Sequence, residues 1–565
     1  MSNIVILNGP NLNLTGVRLV DVYGPTSMAD IIGRCVERGH ELGHEITHVQ
    51  SNHEGHLIDH VHQLRDTIAG AIVNPGALSA SGYGLAEALE AVEVPFVEVH
   101  LSNIHRRGGW HAASIFAPYA LGQISGFHGD SYVLALEALA SYLAQASFPS
   151  HARSVLKTTR KGCVMNSQKA ARSKTKPFHP WPFFDDQERR SLNEVLESGH
   201  WWRMTGDKVE TFEREFAATC GTAYALGVTN GTHALELALA AMGIKAGDEV
   251  IVPAITFIST VTAVLYAGAT PVLADVNPDT LCLAPDSLEA AITPRTRLVI
   301  PVHMAGQCCD MDEIGRIARE HDLKVLEDAA HAHGAEWRGK RVGGLGDAAI
   351  FSFQNGKIMT SGEGGAFVTD NAQLFERAYH IHGAGRPRGD RTYQHVVLGS
   401  NYRMNEFQGA LLLAQLSRLQ RFNDIRHANA HSLDRRLSEI PGIRPLECDD
   451  RANRQTHYMY MFYLDSAKFG GMSRAEFIDA LIEEGIPAFP CFPVLSDTEF
   501  FRNGRFESRI PDGAFQETVG LEHARAAASA VVWLPHFTLL GDEQDLDEIA
   551  VAISKVQQDA RDRAR

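Results

Sequence analysis

The sequence predicts an α/β protein in two parts joined by a basic tether. Three observations predict it. Residues 1–147 alternate short apolar runs with amphipathic stretches. Residues 151–176 hold eight Lys/Arg and no Asp/Glu. From residue 178 a longer strand-and-helix pattern contains FSFQNGKIMTSGEGG (351–365), where one lysine follows an apolar strand and faces glycines. Alternation of strand and helix implies parallel sheets covered on both faces. At 565 residues the chain exceeds a single core. The expected divisions are 1–147, a flexible linker at 148–177, 178–420 and 421–565.

Composition narrows the function classes. Hydrophobic content of 44% and charged content of 21% suit a soluble globular protein. No apolar run reaches membrane-spanning length, and the N-terminus lacks a basic segment followed by an apolar core. The expected compartment is the cytoplasm, with no membrane partner. Eight cysteines without a C-x-x-C pair suit a reducing compartment, and no metal is expected. Cys308-Cys309 read as buried thiols. Net charge is −16 despite the basic run. No aromatic residues interleave with the cations of that run, so it reads as a tether and not as a nucleic-acid surface.

In the first part the strands are NIVILN, EITHVQ, GAIVNP, PFVEVH and LGQISGF, with amphipathic stretches at 27–43 and 56–69. Polar residues follow three of them: Asn8-Gly9-Pro10-Asn11, Asn74-Pro75-Gly76 and His100-Leu101-Ser102. Open parallel sheets bind ligands at those carboxyl ends. The motifs ILNGPNLNLTGVRLVDVYG, VNPGALS and EVHLSNIHRR resemble the type II 3-dehydroquinate dehydratases, over essentially this whole part. The resemblance implies a flavodoxin-like fold, assembly into trimers or dodecamers, and a role for each matched residue. Tyr23 is then the base, with Arg18 beside it. His100 is the general acid, and Asn11 orients a water. Asn74, Leu101 and Ser102 hold the substrate hydroxyl and carboxylate, and Arg107 matches a further arginine of the motif. A neighbouring guanidinium favours tyrosinate, which makes a phenol of pKa about 10 a competent base. The chain departs from that family at Ala80, Glu87 and His111, among the contacts to ring hydroxyls. The expected substrate therefore carries a different substituent there.

In the second part VTNGTHALELAL (228–239) reads as strand, turn and helix. The helix start at Gly231 and Thr232 offers N–H groups to a phosphate, and Ser352 adds a hydroxyl. PAITFISTV (253–261) brings Phe257 to stack on a flat ring. KVLEDAAHAHGA (324–335) ends a strand in Glu327-Asp328, a carboxylate able to bond a pyridinium nitrogen. Lys357 supplies an amine for a Schiff base. Singly, Asp328 could cap a helix and Phe257 could be core. In this order the pieces describe pyridoxal 5′-phosphate.

These segments resemble the sugar-aminotransferase branch of the fold type I pyridoxal-phosphate enzymes across 178–560. Through WWRMTGDKVETFEREFA, DAAHAHGAEWRGKRVG and GRPRGDR they are most similar to the 3-amino-5-hydroxybenzoate synthases. The resemblance implies a large α/β domain with a small C-terminal α+β domain, Lys357 as the Schiff-base lysine, Asp328 at the ring nitrogen and His331 beside the ring. It also implies that Asn401 reaches the phosphate of a neighbouring subunit, hence a homo-oligomer with a dimeric second part. Together the two resemblances imply consecutive steps on small-molecule aminocyclitol acids. 5-Amino-5-deoxy-3-dehydroquinate is dehydrated, and the product is aromatised to 3-amino-5-hydroxybenzoate. Transamination of a keto-sugar or keto-cyclitol, ordinary dehydroquinate as substrate, and a non-catalytic first part remain open.

Overall fold

The computed structural model describes residues 2–17, 24–65, 67–92, 94–104, 114–146, 173–504, 509–510 and 520–564. The chain divides into two compact units, Met1–Lys169 and Ala170–Arg565. Arg18, Tyr23, Arg107 and His111 lie outside the described residues, as do 148–172 of the expected linker.

The first unit holds a five-stranded, wholly parallel sheet in the order β2-β1-β3-β4-β5. Its strands are β1 Ser2–Asn8, β2 His44–Gln50, β3 Ile68–Asn74, β4 Phe96–His100 and β5 Gly122–Ser125. The helices are α1 Met28–Glu41, α2 Glu54–Leu64, α3 Tyr83–Ala91 and α4 Asp130–Ala146. Successive strand residues face opposite sides, so each apolar run feeds two cores. Ile4, Ile6 and Ile72 pack with Ile31 of α1 and Leu136 of α4. Val5, Leu7, Ala71 and Val73 pack with Leu57 of α2 and Leu85 of α3. The amphipathic stretch expected at 56–69 is shorter as a helix. α2 stops at Leu64, and Ile68 and Ala69 already belong to β3.

In the second unit a seven-stranded sheet runs β6-β12-β11-β10-β9-β7-β8. These are β6 Tyr224–Val228, β7 Glu249–Pro253, β8 Thr270–Ala274, β9 Thr296–Val299, β10 Lys324–Asp328, β11 Ala348–Ser352 and β12 Gly365–Thr369. Only β12 runs against its neighbours. Helices α5 Gly231–Met242 and α6 Ser259–Tyr266 follow β6 and β7. Helix α7 runs unbroken from Glu406 to Ser438, so the division expected at 420 falls inside it. A four-stranded antiparallel sheet follows, with β13 Ile443–Pro445, β14 Met459–Leu464, β15 Phe489–Pro490 and β16 Val531–Pro535 in the order β13-β14-β16-β15. Helix α8, Glu543–Ala564, ends the described chain. Among the described residues no helix is long and apolar enough to cross a membrane.

The last residues of the expected linker are not free. Lys174 Nζ pairs with Asp545 at 2.5 Å and Glu548 at 2.8 Å, with side chains at most 10% exposed. Thr175 bonds Glu548, and Lys176 pairs with Asp542 at 2.8 Å. The acids come from the far end of the chain, which is why local sequence showed the lysines unpaired. Burial alone would raise the Glu548 carboxyl, but hydrogen bonds led by that from Lys174 hold it down at about 2. Folding thus lowers this pKa from 4.5, so its stabilisation is complete above about pH 4.5 and fades as the pH falls toward 2. Lys174→Ala should lower the thermal midpoint at pH 7, with a loss of about 2 kcal/mol. The gap between variant and wild type should close on acidification. A gap that stays constant from pH 6 to pH 3 would contradict this anchor.

Candidate active sites

The larger site lies in the second unit, in a cavity of about 900 Å³. Lys357 sits five residues past β11, is 9% exposed, and lines this cavity with Asp328, His331 and Ser352. Burial lowers the amine to about pKa 8, against the opposing pull of the Asp328 charge. Burial raises the Asp328 carboxyl in turn, while Thr260 Oγ1 at 2.9 Å and the Ala330 N–H at 3.2 Å donate to it. The preceding residue serves another purpose. Glu327 faces away and accepts from the N–H groups of Gly343, Leu345 and Gly346 and from His303. Strand alternation thus separates two adjacent carboxylates into a structural one and a cavity one.

The other end of the cavity suits a phosphate. Asn230 caps α5 by accepting from the His233 N–H at 2.8 Å, and the first N–H groups of the helix have no intrahelical acceptor. Thr232 and Ser259 hydroxyls lie 2.7 Å apart, and Ser352 faces Gly231. A Cβ on Gly231 would stand 2.7 Å from Ser352 Cβ, so only glycine lets the helix start lie against β11. Phe257 lines the mouth and is 56% exposed. His331 stacks on Tyr458, with ring centroids 4.4 Å apart, and burial pushes its pKa well below the usual value. Asn401 is exposed, bridges to Gly383 and does not line the cavity of its own protomer.

Sequence reasoning missed the wall supplied by the C-terminal sheet. Tyr458 lies under the Lys357 amine, 4.4 Å from Nζ to the ring centroid, with Phe492 and Trp533 beside it. The segment HYMYMFYL carried only a strand signal. Nothing local tied its first tyrosine to a lysine a hundred residues earlier.

The second site lies at the carboxyl edge of the first unit's sheet. Asn8 and Asn74 are register partners at the ends of β1 and β3, and His100 ends the adjacent β4. Gly9 allows the loops after β1 and β3 to touch, because a Cβ there would lie 2.1 Å from the Pro75 carbonyl. Asn74 is 2% exposed, and His100, Leu101 and Ser102 are likewise buried. His100 Nε2 lies 2.7 Å from Glu98 Oε1, which also accepts from Ser114. Glu98 was not singled out from sequence, since it looks like one polar residue within a strand. Asn11 stands exposed in the left-handed region, with its N–H donating to Asn52. Glu87 is exposed on α3, and Ala80 is half-buried in the turn after β3.

Comparison with known proteins places both units. The model of the DegT/DnrJ/EryC1/StrS aminotransferase family matches residues 182–554. The chain belongs to that family. The model of dehydroquinase class II matches residues 2–140, ahead of the aminotransferase-family part. A 3-amino-5-hydroxybenzoate synthase from Amycolatopsis mediterranei (strain S699) is 46% identical over 396 residues, covering 69% of this chain and 98% of the relative. An L-glutamine:2-deoxy-scyllo-inosose aminotransferase from Streptomyces paromomycinus is 38% identical, covering 68% of this chain and 95% of the relative. The crystal structure of a 3-amino-5-hydroxybenzoic acid synthase aligns with a TM-score of 0.64 at 46% identity, over 69% of this chain and all of that one. The cofactor of the family is pyridoxal 5′-phosphate. The donor set fits it: a helix start with three hydroxyls, a buried carboxyl, an exposed aromatic ring and an amine of lowered pKa.

The amine makes a direct prediction. In protein freed of cofactor, Lys357 should acylate with a midpoint near pH 8, well below an ordinary lysine. Asp328 raises this amine, so Asp328→Asn should move the midpoint lower still. Peptide mass spectrometry across a pH series reads both. A midpoint near 10.5 would contradict the desolvated setting.

Proposed function

We propose that the chain performs two consecutive dehydrations on an aminocyclitol acid. The first unit converts 5-amino-5-deoxy-3-dehydroquinate to 5-amino-5-deoxy-3-dehydroshikimate, and the second aromatises that product to 3-amino-5-hydroxybenzoate. One observation carries the reading. A dehydroquinase class II domain is joined to a unit 46% identical to a 3-amino-5-hydroxybenzoate synthase over 98% of that relative.

In the first unit Tyr23, with Arg18 to favour its tyrosinate, removes the proton beside the ketone. Asn11 orients a water at the enolate oxygen. His100 gives a proton to the departing hydroxyl, held in place by Glu98. Asn74, Leu101 and Ser102 hold the substrate, with Arg107 nearby. Glu87 and His111 take the place of groups that meet a ring hydroxyl in the resembling family. A carboxylate attracts an ammonium where an arginine would repel it. Glu87 is exposed on α3, so this contact would be made toward a neighbouring subunit.

In the second unit the phosphate of the cofactor would be held by Gly231, Thr232, Ser259 and Ser352, and its ring nitrogen by Asp328. Phe257 and His331 would flank the ring. Bound there, pyridoxal phosphate supplies an electron sink for the charge left when the amine-bearing carbon loses a proton. Lys357, able to be neutral near pH 8, takes that proton and passes it to the departing neighbouring ring hydroxyl, which leaves as water, and tautomerisation of the ring ketone completes the aromatic ring. Tyr458 and Phe492 form an apolar wall that excludes water from the amine. Asn401 would reach the phosphate site of a second copy.

Incubating the purified chain with aminodehydroquinate should yield the aromatic product. His100→Ala should cut dehydration by about 10²–10⁴-fold while conversion of supplied aminodehydroshikimate continues. Lys357→Ala should do the reverse. Aromatic product at the wild-type rate from Lys357→Ala would remove that lysine from the chemistry. The 38% identity to a glutamine-dependent aminotransferase supports a second reading, amination of a keto-cyclitol, which glutamine consumption with a keto-cyclitol acceptor would reveal. We further propose a closed assembly, most simply a dodecamer in which two-fold pairing of second units and three-fold pairing of first units coexist. Light scattering should give a multiple of both two and three subunits, and an active monomer would exclude it.

A further inference from the structure

A chain of hydrogen bonds stands behind Asn74, buried except at its last residue, the exposed His48. Its Nδ2 donates to the hydroxyl of Tyr132 at 2.7 Å, and that hydroxyl donates to Asn8 Oδ1 at 2.6 Å. Asn8 Nδ2 lies 3.0 Å from His48 Nε2 and 3.3 Å from the Met28 sulfur. Asn8, Asn74 and Tyr132 are at most 2% exposed, so water does not substitute for a lost partner at low cost.

The chain has a direction, and both ends set it. A phenol has one proton to give, so Tyr132 donates to one asparagine and accepts from the other. The Gly76 N–H donates to Asn74 Oδ1 at 3.2 Å. The Nδ2 of Asn74 must therefore face Tyr132, whose proton must go to Asn8 Oδ1. The Nδ2 of Asn8 then faces His48, whose Nε2 has to be an unprotonated acceptor. We infer that Tyr132 and His48 are positioning residues that set the orientation of the Asn74 amide at the substrate edge of the sheet. This rests on the reading of the first unit as a dehydratase in which Asn74 holds substrate. Burial pushes the Tyr132 phenol well up, which keeps its proton, and lowers His48, which keeps it an acceptor. None of the relay stood out in sequence, because Tyr132 lies in helix α4 and His48 in strand β2, each inside an ordinary amphipathic pattern.

The test uses the full chain. Tyr132→Phe should raise KM for the dehydration about tenfold and lower kcat less, because the lost contact positions bound substrate and transition state alike. His48→Leu, which cannot accept a hydrogen bond, should shift KM in the same direction. His48→Gln, which can, should stay close to wild type. The thermal midpoint and far-ultraviolet circular dichroism of each variant report whether its first unit is folded. An unchanged KM in Tyr132→Phe, or identical behaviour of the two His48 variants, would overturn the relay. Should the wild-type chain dehydrate neither dehydroquinate nor its amino analogue, the dehydratase reading fails. A crystal structure of Tyr132→Phe then decides the relay by itself. A displaced Asn74 side chain supports it, and an unmoved one overturns it.

Discussion

The cavity of the second unit is organised around an amine buried beside a carboxyl. Each group resists ionising without water, and each charge favours the other. The lysine is consequently poised near pKa 8. The surrounding fold maintains that dry setting. β10 and β11 are parallel neighbours, so Asp328 and Ser352 emerge at one edge of the sheet. The chain past β11 then turns Lys357 back over Tyr458, which stands just ahead of β14 of a different sheet. Moving any of these elements would readmit water and return the amine toward its ordinary value.

The first unit builds its site by another means. There the polar groups are fixed by directed hydrogen bonds and not by desolvating one charge. Asn8, Asn74 and Tyr132 satisfy one another in the interior, and Glu98 gathers His100 and Ser114. Buried networks of this kind are costly when incomplete and rigid when complete.

Both units still obey one rule. Strands buried on both faces leave chiefly their ends for polar residues, Glu98 in the middle of β4 being an exception, and a parallel sheet collects those ends on one edge. The antiparallel β12 does not disturb it, because β6, β10 and β11 keep their carboxyl ends together on either side.

The sequence by itself determined most of the elements and the residue types that stand at the candidate sites. The strands of the first unit, the helix start at Gly231, the buried carboxylate and the lysine after an aromatic strand are all local patterns, set by side-chain period, glycine and strand-end polarity. Tertiary structure decided what local pattern cannot encode. It separated Glu327 from Asp328, because alternation assigns faces only once the sheet has neighbours. It brought Tyr458 under Lys357, and Asp545 and Glu548 onto Lys174, pairs between 101 and 374 residues apart in sequence. It also turned an unremarked tyrosine in α4 into the hinge of a polar relay. Contacts of that range depend on how elements pack, and a residue's own neighbours in the chain carry no trace of them.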